Sequence, residues 1–160
     1  MKKDRVVVAM SGGVDSSLAA ALLAEQGFDV IGVTMRLSDE NRDAAPAERS
    51  CCSLSSIDDA RRVADVLNIP HYVMDFTTSF KHSVIDYFFN EYLCGRTPNP
   101  CIACNQYIKF EGLLRKSDAL GASFVATGHY ARVDCNSQGI YCLRKGLDHE
   151  KDQSYVLYHL

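Results

Sequence analysis

No run of apolar residues in this sequence is long enough to cross a bilayer. No membrane association is therefore expected. The opening, Met1-Lys2-Lys3-Asp4-Arg5, leads straight into an apolar segment with no room for a secretory signal, and a cytoplasmic location is expected. A strong charge of one sign is also missing. With a net charge of −3, the chain as a whole is not an electrostatic nucleic-acid binder, and any RNA contact must use a local patch. There are no internal repeats and no low-complexity tracts. Two phosphate-binding signatures are absent as well, the Walker A pattern G-x-x-x-x-G-K-[ST] and the dinucleotide pattern G-x-G-x-x-G. Seven cysteines are many without a secretory signal, and the odd count argues against a complete disulfide framework.

What is present is enough for one domain with a real core, in 160 residues. The chain is organised around its first βα junction. Val6 to Met10 is a short β-branched run, the pattern of a strand covered on both faces. Ser11-Gly12-Gly13-Val14-Asp15-Ser16 follows, and then a helix whose apolar spacing is carried by Leu18, Leu22 and Leu23 as its expected inner face. Gly12 and Gly13 are expected to take positive φ and to admit a ligand. Asp15 or Ser16 is expected to cap the helix. Such a unit aims free N–H groups and a positive helix end at one point, which makes an anion site. The hexapeptide resembles the PP-loop of the ATP pyrophosphatases, enzymes that cleave ATP between its α- and β-phosphates.

Further along, Asp29 to Met35 reads as a second strand, with Met35 at its carboxyl end. Spacing alone leaves Met35 as either a nucleotide contact or core. Arg36 to Ser50 reads as a mobile surface loop, ending at Cys51-Cys52-Ser53. A helix with Ile57, Ala60, Val63, Ala64 and Leu67 on one face precedes a third strand over 71–76, where His71 reads as structural. Phe80 to Leu93 is amphipathic. Its stripe of Phe80, Val84, Tyr87, Phe88 and Tyr92 is expected to be core. The prolines of Arg96-Thr97-Pro98-Asn99-Pro100 are expected to exclude helix and to hold a stiff, exposed loop. A fourth strand leads to Gly128 and His129. A hairpin turns at Asn136-Ser137-Gln138-Gly139, and Asp152 or Ser154 is expected to cap a final helix. The chain stops inside what reads as an element, as a fragment of a longer protein would. The expected fold is an open, mostly parallel, doubly wound α/β sheet with helices on both faces and a small β-hairpin near the C-terminal end.

Cys142 and Cys94 read as buried small hydrophobes. Cys101-Ile102-Ala103-Cys104 does not. A thiol pair at a helix start is expected to have thiolate character from the positive helix end, with Lys109 expected to add to it. The pair suits a sulfur-transfer or Fe–S role first, a redox disulfide second and structural zinc third, because no second Cys/His pair stands at zinc spacing.

Several motifs are similar to the N-terminal part of the tRNA-specific 2-thiouridylases. They are Ser11 to Ser16, Cys51-Cys52-Ser53, Gly95 to Pro100, Cys104-Asn105 with Ile108-Lys109-Phe110, Ala126-Thr127-Gly128-His129-Tyr130 and Lys151-Asp152-Gln153-Ser154-Tyr155. They run through the whole chain in the family's order. The resemblance implies an ATP- and Mg²⁺-dependent enzyme that adenylylates the C2 oxygen of the wobble uridine and replaces it with persulfide sulfur. It implies tRNA as partner, and a cysteine desulfurase or sulfur-relay protein as donor. It places Ala9, Met10, Ser11, Gly12, Gly13, Val14, Asp15 and Ser16 on the ATP phosphates, and Met35 and Gly128 on the adenosine. Asn99, Pro100 and Cys101 would face the target base, and Lys151, Asp152 and Gln153 would touch tRNA. Cys104 matches the first catalytic cysteine, the nucleophile. Asp15 is left between a Mg²⁺ and a capping role. Many relatives carry Asp at the position of Cys101. The cysteine here makes a [4Fe–4S] cluster on Cys101, Cys104 and a later cysteine conceivable (a Cys101–Cys104 disulfide is the alternative). Residues 1–160 then form a PP-loop ATP-binding catalytic domain. The second, persulfide-carrying cysteine and the tRNA-binding and β-barrel parts would lie downstream. The competing readings are another PP-loop pyrophosphatase, either a different tRNA thiolase or an amide-forming synthetase, and a nucleotide- or metal-binding module.

Overall fold

The computed structural model describes residues 3–38 and 54–160. Most of the loop expected over 36–50, and Cys51-Cys52-Ser53, lie outside the described residues. Four parallel strands form the central sheet: β1 (Arg5–Ala9), β2 (Asp29–Arg36), β3 (His71–Asp75) and β4 (Phe124–Ala126), in the order β3-β2-β1-β4. In the register of β1, Val7 stands beside Ile31 on one side and Val125 on the other.

Both faces of this sheet are covered, which is why β1 reads as an unbroken apolar run. Val7, Ala9, Ile31 and Val33 pack on one face with Phe76, Val84, Ile108 and Leu113. Val6, Val8, Met10 and Val30 pack on the other with Ala20 of α1 (Val14–Glu25) and Ala60 of α2 (Leu54–Leu67). The fold is therefore the expected doubly wound α/β sheet. The chain winds from β1 through β2 to β3, then returns to place β4 on the opposite side of β1. The winding direction reverses between β1 and β4, and a crevice opens beyond their carboxyl ends. Arg5 ties the opposite ends of these strands together. Its Nε donates to Asp29 at 2.7 Å and its Nη1 to the carbonyl of Leu120 at 2.7 Å.

The remaining helices form two long stretches on the first face. One joins α3 (Thr77–Phe80), a π-helical segment Lys81–Asp86 and α4 (Tyr87–Leu93). The other joins α5 (Pro100–Ala103), a π-helical segment Cys104–Gly112 and α6 (Leu113–Asp118). A separate hairpin pairs β5 (Ala131–Cys135) with β6 (Tyr141–Lys145), with its turn over the expected residues 136–139.

Five expectations need correction here. In α1 the sheet-facing residues are Ser16 and Ala20, with Ala19 and Leu23 partly buried, whereas Leu18 and Leu22 are 55% and 46% exposed. Small side chains let the helix approach the sheet closely, and the larger leucines turn outward. In the aromatic stripe, Val84 is buried, but Tyr87 and Tyr92 are exposed. The Lys81–Asp86 segment is π-wound, so residues at α-helical spacing across it no longer share one face. Pro100 does not exclude helix; it is the first residue of α5, where its missing N–H costs nothing, and Asn99 caps it by accepting from the Cys101 N–H at 2.9 Å. Cys94 is exposed and Cys142 only half-buried, so neither is a core thiol. Finally, the end of the described chain is a single 3₁₀ turn, Ser154–Val156, with Gln153 at its N-cap position and no side-chain cap.

Candidate active site

The crevice holds a cleft of about 200 Å³, lined by Ala9, Met10, Ser11, Gly13, Asp15 and Ser16 from the loop after β1. Met35 and Leu37 close it from the end of β2, Thr127, Gly128 and His129 from the end of β4, and Lys109 and Gln153 from outside the sheet.

Local chemistry explains the loop's shape. Gly12 lies at φ +75, and a Cβ there would sit 2.4 Å from the Ser56 carbonyl oxygen, so the start of α2 leaves no room for a side chain. Gly13, expected to share the positive φ, has φ −82 and serves as the N-cap of α1. Neither Asp15 nor Ser16 caps the helix. Ser16 instead staples the loop: its hydroxyl accepts from the Ser11 N–H at 3.2 Å and donates to the Gly13 carbonyl at 3.0 Å. The first backbone bond of α1 runs from the Ser17 N–H to Gly13. The N–H groups of Val14, Asp15 and Ser16 precede it, and they form the positive end of a 12-residue helix. Beneath the loop, the Thr34 hydroxyl donates to the Met10 carbonyl at 2.9 Å and meets His71 Nε2 at 2.9 Å. Burial holds the pKa of His71 below its usual value, and the ring serves as a structural tether, as its place in the sequence suggested.

The exit of β4 lies directly on this loop. A Cβ on Gly128 would be 2.6 Å from the Ser16 nitrogen and 2.7 Å from the Asp15 carbonyl carbon. His129 lies next to it, its Nδ1 2.8 Å from the Thr127 hydroxyl and its ring stacked against Phe110 at 6.1 Å. Burial, with Lys109 as a lesser cause, lowers the pKa of His129 to about 4, so the imidazole is neutral near pH 7. Tyr130 turns back across the mouth, and its hydroxyl donates to Asp15 Oδ1 at 2.8 Å. That bond, more than burial, raises the phenol's pKa.

The residues named from the sequence separate into groups. Ala9, Met10, Ser11, Gly13, Asp15, Ser16, Met35 and Gly128 come together in the cleft. Gly12 and Val14 belong to the loop without lining the cleft. Gln153, assigned to tRNA, lines it, while Lys151 and Asp152 do not. Asn99, Pro100, Cys101 and Cys104 lie outside the lining. Cys101 is exposed, and Cys104 is partly buried against the core cluster beneath the first face. Asp152 holds the Gly146 N–H at 2.7 Å and the Ser154 hydroxyl at 2.8 Å, which occupies the carboxylate that was expected to cap a helix. Leu37, Lys109, Thr127 and His129 complete the lining without having been assigned to the nucleotide. For Thr127 and His129 the signal was their position at a strand's carboxyl end. For Leu37 and Lys109 no local pattern marks the role.

A [4Fe–4S] cluster needs more ligands than Cys101 and Cys104. Among the described residues no group of three or more His, Cys, Asp or Glu side chains is placed to hold a metal ion. These residues do not by themselves fit such a cluster. Among them, also, no helix is long and apolar enough to cross a membrane.

Comparison with known proteins agrees with the motifs. The family described as the tRNA methyl transferase HUP domain matches residues 4–160. The tRNA-specific 2-thiouridylase MnmA of Pelotomaculum thermopropionicum is 59% identical over 99% of this chain and 44% of its own length. The protein of that name from Clostridium perfringens is 58% identical over all of this chain and 44% of its own length. The chain thus spans less than half the length of these relatives. Among solved structures, a predicted tRNA methyltransferase subunit from Methanocaldococcus jannaschii superposes with a TM-score of 0.50 at 23% identity, over 78% of this chain and 52% of that one, a likeness of fold alone.

Proposed function

The chain belongs to the tRNA methyl transferase HUP domain family, and from that premise we propose that it is the ATP-binding portion of a tRNA-specific 2-thiouridylase. The observation that carries the proposal is the loop Ser11–Ser16 at the positive end of α1, closed over by Gly128 and faced by Lys109 in one cleft. The positive first turn of α1 and one ammonium make a site for a polyphosphate. Met35 and Leu37 offer apolar surface at the adenine side. Asp15 is the carboxylate in the lining that would hold Mg²⁺ with the phosphates, where the cation would offset charge on departing pyrophosphate.

The chemistry follows from the leaving groups. The C2 carbonyl oxygen of uridine attacks the α-phosphorus and pyrophosphate leaves, so that oxygen becomes part of an adenylate. Loop N–H groups and Lys109 stabilise the negative charge gathered on the departing pyrophosphate. The outer sulfur of a persulfide then attacks C2 and AMP departs with the oxygen. The Cys104 thiolate attacks the inner persulfide sulfur, so the S–S bond breaks, the outer sulfur stays on C2 and a disulfide forms between Cys104 and the carrier cysteine. Cys104 is thus the thiol nucleophile that frees the sulfur from its carrier, and Asn99, Pro100 and Cys101 at the exposed start of the same helical stretch face the target base. The neutral His129 donates or accepts a hydrogen bond in the cleft without adding charge. Lys151 and Asp152 contact the tRNA body. A cysteine desulfurase or sulfur-relay protein supplies the sulfur, and a second cysteine in the remainder of a longer protein carries it. Methyl transfer, which the family's description mentions, would call for neither a phosphate-binding loop nor a thiol at a helix start.

An anaerobic single-turnover assay with the longer parent protein, ATP and unmodified tRNA tests the reading. Formation of 2-thiouridine by the wild type and none by Cys104→Ser is expected. AMP formation without thiolation by the wild type would overturn it in favour of another PP-loop reaction.

A further inference from the structure

One residue joins the two halves of the proposed site. Tyr130 reaches the phosphate loop through its hydroxyl, which donates to Asp15 Oδ1 at 2.8 Å. Through its backbone it grips the 151–153 segment twice. Its N–H donates to the Gln153 side-chain oxygen at 3.0 Å, and its carbonyl accepts from the Gln153 N–H at 2.9 Å. The ammonium of Lys151 lies over its ring at 5.4 Å from the centroid. Asp152 anchors the same segment to the end of the hairpin through the Gly146 N–H. A rigid aromatic thus spans from a segment that carries an exposed cation to the carboxylate at the mouth of the cleft.

We propose that Tyr130 is a positioning residue that couples tRNA binding at Lys151–Gln153 to the orientation of Asp15, so that each ligand tightens the other. This rests on the reading of the cleft as a nucleotide site and of 151–153 as a tRNA contact. The physical basis is that Tyr130 carries two separable functions. Lys151 and Gln153 hold its ring and backbone, and a nucleic-acid strand that engages them fixes where its hydroxyl points. A fixed hydroxyl holds one Asp15 oxygen, leaving the other oriented toward the cleft. Coupling between two ligands is reciprocal by thermodynamic necessity.

The test is the ratio of ATP dissociation constants measured by calorimetry, with Mg²⁺, in the absence and presence of a saturating unmodified tRNA transcript. For the wild type a ratio of roughly 5 or more is expected. For Tyr130→Phe, which keeps the ring over Lys151 and both backbone bonds, the ratio falls to about 1 while tRNA still binds. Gln153→Ala lowers the ratio too, and the double variant lowers it no further, as members of one chain of contacts behave. A merely structural tyrosine would change thermal stability and leave the ratio alone. A wild-type ratio near 1, or a Tyr130→Phe ratio equal to that of the wild type, overturns the coupling while leaving the nucleotide site intact. If the wild type binds no ATP at all, the nucleotide reading itself fails, and the coupling with it.

Discussion

Replacing Gly128 by alanine puts the closure of the cleft to a direct test. The new methyl carbon would stand 2.6 Å from the Ser16 nitrogen, 2.7 Å from the Asp15 carbonyl carbon and 2.9 Å from its oxygen. All three are backbone atoms in the first turn of α1, so no flexible side chain can swing aside. Ordinary contact requires about an ångström more, and either the exit of β4 or the Ser11–Ser16 loop must move by that amount. Overpacking of this kind costs about 1–3 kcal/mol. For a domain of this size that lowers Tm by roughly 3–10 °C. The displaced loop also loses its aim. Loss of one N–H contact to a charged phosphate, worth about 1.5–3 kcal/mol, weakens ATP binding by roughly tenfold or more. Gly139→Ala is the control. Gly139 lies at φ +79 with open space around its Cβ position, so alanine there meets backbone strain and no clash. Some loss of Tm is expected with unchanged nucleotide affinity. Calorimetric unfolding and ATP titration of both variants decide the matter. A Gly128→Ala protein that keeps the wild-type Tm and affinity would show that the β4 exit and the loop are not locked together.

Two further predictions concern side chains of the cleft. Lys109→Met removes the ammonium from the lining and should weaken ATP·Mg²⁺ about tenfold with little change in Tm, checked by isothermal titration; unchanged affinity would remove Lys109 from the phosphate site. His129 has its pKa lowered from 6.5 to about 4 in the folded chain. The unfolded chain therefore binds the extra proton first, and stability falls as pH drops from about 6.5 towards 4. Denaturant melts over that range should show a smaller slope for His129→Asn, and the imidazole resonances of the wild type should stay in their neutral positions down to about pH 5. A histidine that titrates near 6.5 would refute the burial argument.

Much of the fold is legible along the chain because its signals are local. Val6 to Val8 are apolar without alternation, and such a run fits a strand covered on both faces. Gly139 marks the hairpin turn, and Gly27, Asn68 and Gly95 mark helix ends, each with positive φ in the structure. The loop Ser11–Ser16 and the glycine at the end of β4 fall at one sheet edge by strand polarity, and they share one cleft. One helical period does not describe the stretch from Phe80 to Leu93. The π-wound segment at Lys81–Asp86 shifts the side-chain phase, and no pattern in its residues announces that.

Sequence alone determined the composition of the central strands, the glycine turn after β1, the position of the thiol pair beside a helix start and the family. These depend on residues adjacent in the chain, whose backbone preferences and motifs survive without partners. Tertiary structure alone decided which glycine takes positive φ, that Ser16 staples the loop instead of capping the helix, and that Lys109 and Gln153 reach the cleft. It also decided that Tyr130 joins Asp15 to Gln153, residues 115 and 23 positions away. Contacts over such separations are set by the strand order β3-β2-β1-β4, which brings the ends of β1 and β4 together. No local propensity encodes that adjacency, because it comes from burying both faces of one sheet at once.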